Sequence, residues 1–138
     1  MIKVCARKTV VSAMLAFSMS VITSSVFASD EIVGIWKTES SDRGYLHVDV
    51  TICEDKICGT IVNAFNTSDE LIDDYEHVGK PIIWDMAVRG ENSWNKGKIW
   101  DPSSDKTYKS KMSVSGNVLS VSGCVAFFCK AQDWLRIE

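Results

Sequence analysis

The sequence predicts an all-β chain, a single antiparallel up-and-down β-barrel of about seven to eight short strands. Three observations carry this. In residues 45–53, Leu46, Val48, Val50 and Ile52 alternate with Tyr45, His47, Asp49 and Thr51, the period-two pattern of a strand with one buried face. Similar runs follow at short intervals, parted by Gly, Asp, Asn and Ser turns. An antiparallel meander must also hide its edges, and closure into a barrel hides them all. A β-sandwich is the alternative.

Taken in order, Gly34-Ile-Trp-Lys-Thr38 forms a first strand, and residues 40–44 turn the chain into a hairpin of 45–53 and 58–64. Cys53 and Cys58 flank its polar turn. As cross-strand neighbours their Cβ atoms come within disulfide reach, and the bond sets the register because both must point to one face. Leu46, Val48, Val50 and Ile52 then face inward with Ile57, Gly59 and Ile61. Residues 66–79 are acidic, with Leu71, Ile72, Tyr75 and Val78 spaced for one or two helical turns ending at Gly79, or for a long loop. Strand runs resume at 81–86 and 94–101, with turns at 89–93 and 102–105. In 107–114, Tyr108, Ser110, Met112 and Val114 share one side, and Lys109 and Lys111 the other. Ser115-Gly-Asn117 makes a tight hairpin, and runs 118–124 and 129–137 close the chain.

The first 28 residues read as a signal peptide. Lys3, Arg7 and Lys8 precede an apolar run from Val10 to Ile22, and Val26-Phe-Ala28 is a small-residue cleavage site. The apolar run is shorter than the roughly 20 residues that span a bilayer. A mature domain of residues 29–138 follows, with no membrane attachment after cleavage. Cleavage takes the Lys/Arg count from 15 to 12 against 18 Asp/Glu. An acidic chain with no basic cluster argues against nucleic acid or anionic lipid as partner. Four cysteines remain, in two C-x4-C pairs: Cys53/Cys58 and Cys124/Cys129. Of three possible connectivities the two local ones are favoured. Zinc held by four thiolates is the rival, disfavoured by an oxidising compartment and the missing C-x2-C spacing.

Five segments carry a family resemblance: Gly34-x-Trp36; Cys53-x4-Cys58-Gly59; Trp94-x-x-Gly97-Lys-Ile-x-Asp101-Pro102; Lys106-Thr-Tyr108; and Trp134-x-Arg136. In this order they resemble the bacterial family catalogued as domain of unknown function 2147. The resemblance implies a small exported protein with a lipocalin-like β-barrel, and it implies no activity. It also implies that Trp36, after Gly34 on the first strand, is covered by Arg136 from the last, closing one end structurally. The Cys124/Cys129 pair departs from the family pattern. It would stiffen the loop Val125-Ala-Phe-Phe128 into an apolar tip.

Support for catalysis is thin. His47 reads as a solvated outer-face residue beside Asp49. His77 with Asp73, Asp74 and Glu76 lacks the spacing of a calcium loop, and no Gly-x-Ser-x-Gly is present. No enzyme activity, metal or other cofactor is expected. Trp84, Trp94, Trp100, Trp134 and Tyr108 either fill the barrel or line a cavity for a small hydrophobic or amphipathic ligand. Ile61, Trp100, Tyr108, Ser110 and Met112 are the candidate ligand contacts. The side on which Trp100 falls depends on whether Gly97 makes a bulge. The second expectation is a protein-interaction module, an inhibitor or envelope-stress factor, acting through loops such as 125–128.

Overall fold

Eight strands follow one another in a computed structural model that describes residues 20–21 and 31–138. The signal peptide expected over 1–28 lies, but for residues 20 and 21, outside the described part. The strands are β1 (Gly34–Lys37), β2 (Tyr45–Cys53), β3 (Lys56–Phe65), β4 (Pro81–Gly90), β5 (Ser93–Asp101), β6 (Lys106–Ser115), β7 (Val118–Val125) and β8 (Phe128–Arg136). Each pairs antiparallel with the next, and β1 pairs with β8, so the sheet is a closed barrel rather than a sandwich. The up-and-down order puts the tight turns after β2, β4 and β6 at one end, with the start of β1 and the end of β8. The 38–44, 66–80, 102–105 and 126–127 connections lie at the other.

Alternation decides what lies inside. Val48, Val50, Ile57, Ile61, Ile83, Met86, Trp94, Ile99, Met112, Val114, Leu119, Val121 and Trp134 are all buried and belong to one core. Ile52 shares their side but is 47% exposed, because the β2–β3 hairpin projects beyond the core. The turn of that hairpin is shorter than the sequence suggested. Glu54, at φ 59°, and Asp55 alone make it, and Cys53 pairs with Lys56 while Cys58 pairs with Thr51. Cys53 and Cys58 are therefore diagonal neighbours on the outer wall, joined as a disulfide. Cys124 and Cys129 stand directly opposite and form the second. Both local pairings are present, as an oxidising compartment favours.

Residues 66–80 form a loop rather than helical turns. It hydrogen-bonds to the upper half of β3, where β4 has not yet begun: Ile72 N–H to Ala64 O at 2.8 Å, Gly79 N–H to Ile61 O at 2.8 Å. In β5 the register shifts between Trp94 and Gly97, with Lys96 at φ 59°. The bulge thus keeps Trp94 and Gly97 both inward. A Cβ on Gly97 would collide with Met86 Sδ and would stand 2.8 Å from the Trp84 carbonyl oxygen. Gly97→Ala therefore overpacks the wall and is expected to cost about 1–3 kcal/mol. The urea midpoint measures this, and an unchanged midpoint would contradict the bulge geometry.

Candidate functional site

One end of the barrel is shut by contacts between the termini. Trp36 is fully buried, and its indole N–H donates to Ile32 O at 2.9 Å. The Arg136 guanidinium carbon lies 4.3 Å from the Trp36 ring centre. Its Nη1 donates to Val33 O at 3.0 Å and its Nη2 donates to Glu31 O. Gly34 has no room for a side chain: at φ 148°, a Cβ would strike Glu138 O and come within 2.9 Å of Arg136 Nη1. Gly34, Trp36 and Arg136 therefore meet, and stacking plus two charged hydrogen bonds holds the seam.

The other end carries the longer loops. There Leu46, Tyr75, Trp100 and Tyr108 are half-buried against the core. Tyr75 reaches the mouth from the 66–80 loop, and a row of rings steadies it. His77 packs edge-on to Tyr75 (centroids 5.2 Å apart) and to Trp100 (5.0 Å), and Trp100 Nε1 donates to Asp105 Oδ1 at 3.0 Å. Burial raises the Tyr75 phenol pKa, and the Glu76 charge adds to it. At the rim, Asp101 is partly buried, which opposes its ionisation. Hydrogen bonds from Ser103 and Ser104 outweigh that and hold its carboxyl below the ordinary value.

The inner wall of β6 presents Tyr108, Ser110 and Met112 in line. Ile99 pairs with Tyr108, Gly97 and Gly123 flank Ser110, and Trp94 and Val121 flank Met112. Ile61, on β3, is inside and fully buried. Trp100 is not with them, because the bulge turns it to the outer wall, where it pins the 66–80 loop. Two polar atoms in this interior lack a hydrogen-bond partner: Trp94 Nε1 and Ser110 Oγ. Their residues are only 1% and 4% exposed. A buried unsatisfied group costs about 1–3 kcal/mol, so each is a standing destabilisation.

Residues 34–136 match the family described as "Uncharacterized protein conserved in bacteria (DUF2147)". The chain belongs to this family. This DUF2147 chain can be placed by fold as well. A solved structure titled "Protein HP1028 from the human pathogen Helicobacter pylori belongs to the lipocalin family" superposes with a TM-score of 0.63. It is 16% identical, and the match covers 78% of this chain and 84% of that one. At that identity the likeness shows a lipocalin-like fold and nothing finer. No curated protein matches the chain.

Among the described residues two clefts are open to solvent. The larger, about 530 Å³, runs past the short β1–β8 seam along Thr38, Glu39 and Ser40. It is open to solvent and mixes Lys37, Glu39 and Asp133, with no unsatisfied group, so size alone does not make it the site. The smaller, about 190 Å³, lies among Arg89, Lys111 and four serines and reaches Trp94 and Met112. Among the described residues no three His, Cys, Asp or Glu side chains gather to hold a metal ion.

Tyr75 and the Trp94 indole N–H escaped the sequence reading as site groups. Tyr75 showed only as one apolar residue of an acidic stretch, and Trp94 as one aromatic among several. Counting alternation across the Gly97 bulge was the signal that would have put Trp94 inside and Trp100 outside. His47 also differs from expectation. It is half-buried on the outer wall, 4.5 Å from the Phe65 ring centre and 5.8 Å from Tyr45. Desolvation lowers its pKa below 6.5, and nearby Lys37 lowers it further. Between the folded value and 6.5 the unfolded chain binds the extra proton. This contribution to stability is complete above pH 6.5 and is lost as pH falls through the folded pKa. NMR titration is expected to place the His47 midpoint below 6.5, and His47→Phe to remove that part of the pH dependence of the urea midpoint. A His47 midpoint at or above 6.5 would contradict this.

Proposed function

We propose that the protein is an exported binding protein that takes one small, uncharged, amphipathic molecule into the long-loop end of its barrel. In this reading the signal peptide of residues 1–28 is removed, and residues 29–138 act in the periplasm or outside the cell. Two disulfides and a lipocalin-like fold support that setting. In this reading the protein binds its ligand rather than transforming it.

The observation that carries the proposal is the unsatisfied pair, Trp94 Nε1 and Ser110 Oγ, inside an otherwise apolar core. Trp94 can only donate, and Ser110 can donate or accept. A ligand with one oxygen acceptor answers both. It carries no buried charge, since no ionised side chain in the core offers a counter-ion. Room comes from groups that can move. Ser110 sits between two glycines, Met86 fills the space over Gly97, and Tyr75 belongs to a loop rather than a strand. Methionine adapts readily to such repacking. Ile61, Tyr108 and Met112 supply the apolar wall, and Trp100 acts from outside by steadying the loop that carries Tyr75.

Titration with prodan, a neutral fluorophore bearing one carbonyl, tests this. The wild type is expected to bind it one to one, and Ser110→Ala and Trp94→Phe each to weaken binding about three- to tenfold. Ser110→Ala in the free protein is expected to be neutral or stabilising, because it removes an unsatisfied hydroxyl. Weaker binding without lost stability is the signature of a site. Equal binding by wild type and both variants, or no binding by the wild type, would overturn the proposal.

A further inference from the structure

We propose that the outer wall of β5–β7, together with the β7–β8 hairpin tip, docks the protein onto an anionic phospholipid bilayer. The inference is independent of the interior ligand. It starts from charges that look scattered in sequence. Residues 31–80 hold 4 Lys/Arg against 11 Asp/Glu, whereas residues 81–138 hold 8 against 6. Strand alternation then sorts the second group. Lys109 and Lys111 point outward from β6, opposite to the buried Ser110 and Met112. Register sets Lys98 of β5 directly across from Lys109, two like charges side by side, an arrangement that is unfavourable on its own. Moving from β6 across β7, the outward partners are Ser122, Ser120 and Cys124. The first carboxylate met on that path is Asp133, on β8 across from Ser120. Among the described residues none of these lysines makes an ion pair. A chain with an acidic total therefore carries a basic wall, which the isolated spacing of its lysines conceals.

The wall adjoins an apolar projection. Val125, Phe127 and Phe128 are 60%, 101% and 84% exposed. Ala126 and Phe127 make the turn, Ala126 at φ 52°, and the Cys124–Cys129 bond ties its base. A phenyl ring on a cross-linked two-residue turn, with a second on the first residue of β8 beside it, loses little conformational freedom on binding. Lys109 links the two features, since it pairs with Cys124 at the foot of the tip. Apolar insertion and attraction to anionic headgroups are each marginal alone and effective together. The facing surface must be negative and must admit aromatic rings, and a bilayer containing phosphatidylglycerol meets both needs. Among the described residues no helix is long and apolar enough to cross a membrane, so the attachment is peripheral.

Vesicle flotation of the oxidised mature protein tests this, with phosphatidylcholine vesicles compared against the same vesicles containing phosphatidylglycerol. Binding is expected only to the anionic vesicles, and to weaken as salt rises. Each Lys→Gln change at 98, 109 and 111 is expected to lower partitioning about fivefold, and the triple variant by about a hundredfold. Phe127→Ser with Phe128→Ser is expected to abolish flotation while circular dichroism stays unchanged, because both rings are exposed. Phe127→Trp is expected to show a blue-shifted emission on anionic vesicles. No flotation at low salt, equal binding to neutral vesicles, or full binding by the Phe127/Phe128 variant would each overturn the proposal. So would co-migration with a soluble protein in place of vesicles.

Discussion

The stack of Arg136 on Trp36 is the contact on which the barrel depends. β1 contributes only four residues, and it pairs with β8 at just two positions, Trp36 with Arg136 and Lys37 with Leu135. Every other neighbouring pair of strands shares a longer ladder or a connecting turn. Closure must therefore come from side chains and terminal backbone. Arg136 covers the indole and reaches Val33 and Glu31, and Ile35 exchanges hydrogen bonds with Ile137 and Glu138. Cation–π stacking of this kind contributes on the order of 0.5–2 kcal/mol. That is a sizeable share of a stability expected at about 5–15 kcal/mol.

Closure also gives the interior its meaning. In an open sheet water would reach Ser110 and the Trp94 indole, and neither would be anomalous. In a closed cylinder the two groups sit among Met86, Ile99, Met112 and Val121 without a partner, and that costs stability. The rest of the inner wall avoids such a cost. Trp36 donates to Ile32 O and Trp134 donates to Gln132 Oε1 at 2.9 Å. Three tryptophans fill the core, and the indole that remains unpaired lies one strand from the unpaired hydroxyl. That contrast within one core is the observation on which the proposed site between β5 and β6 rests.

Much of the fold was legible because period-two alternation, turn residues and paired cysteines report on local structure. The hairpin around Gly116 and Asn117, the inward set Tyr108, Ser110, Met112 and Val114, and both disulfides follow from nearby residues alone. What escaped depended on one irregular residue or on distant ones. Lys96 takes a left-handed conformation that no composition rule singles out, and it reverses the side of everything after it up to Trp100. The 66–80 segment had the spacing of helical turns or of a long loop, and the choice fell to the loop, a chain of turns pinned to the edge of β3 that β4 leaves bare. The basic wall was invisible for a similar reason. Lys98 and Lys109 are eleven positions apart and become neighbours only through the register of β5 and β6.

The most direct test is the indole N–H signals of the five tryptophans in a nitrogen-15 spectrum recorded with and without a neutral amphipathic ligand. A closed, dry interior with an unsatisfied donor predicts a single outcome. The Trp94 resonance starts upfield, as an unbonded indole, and moves downfield at saturation, while that of Trp36 stays in place. A Trp94 signal that exchanges with solvent as fast as the outer-wall Trp100, or one unmoved by saturating ligand, would contradict the account.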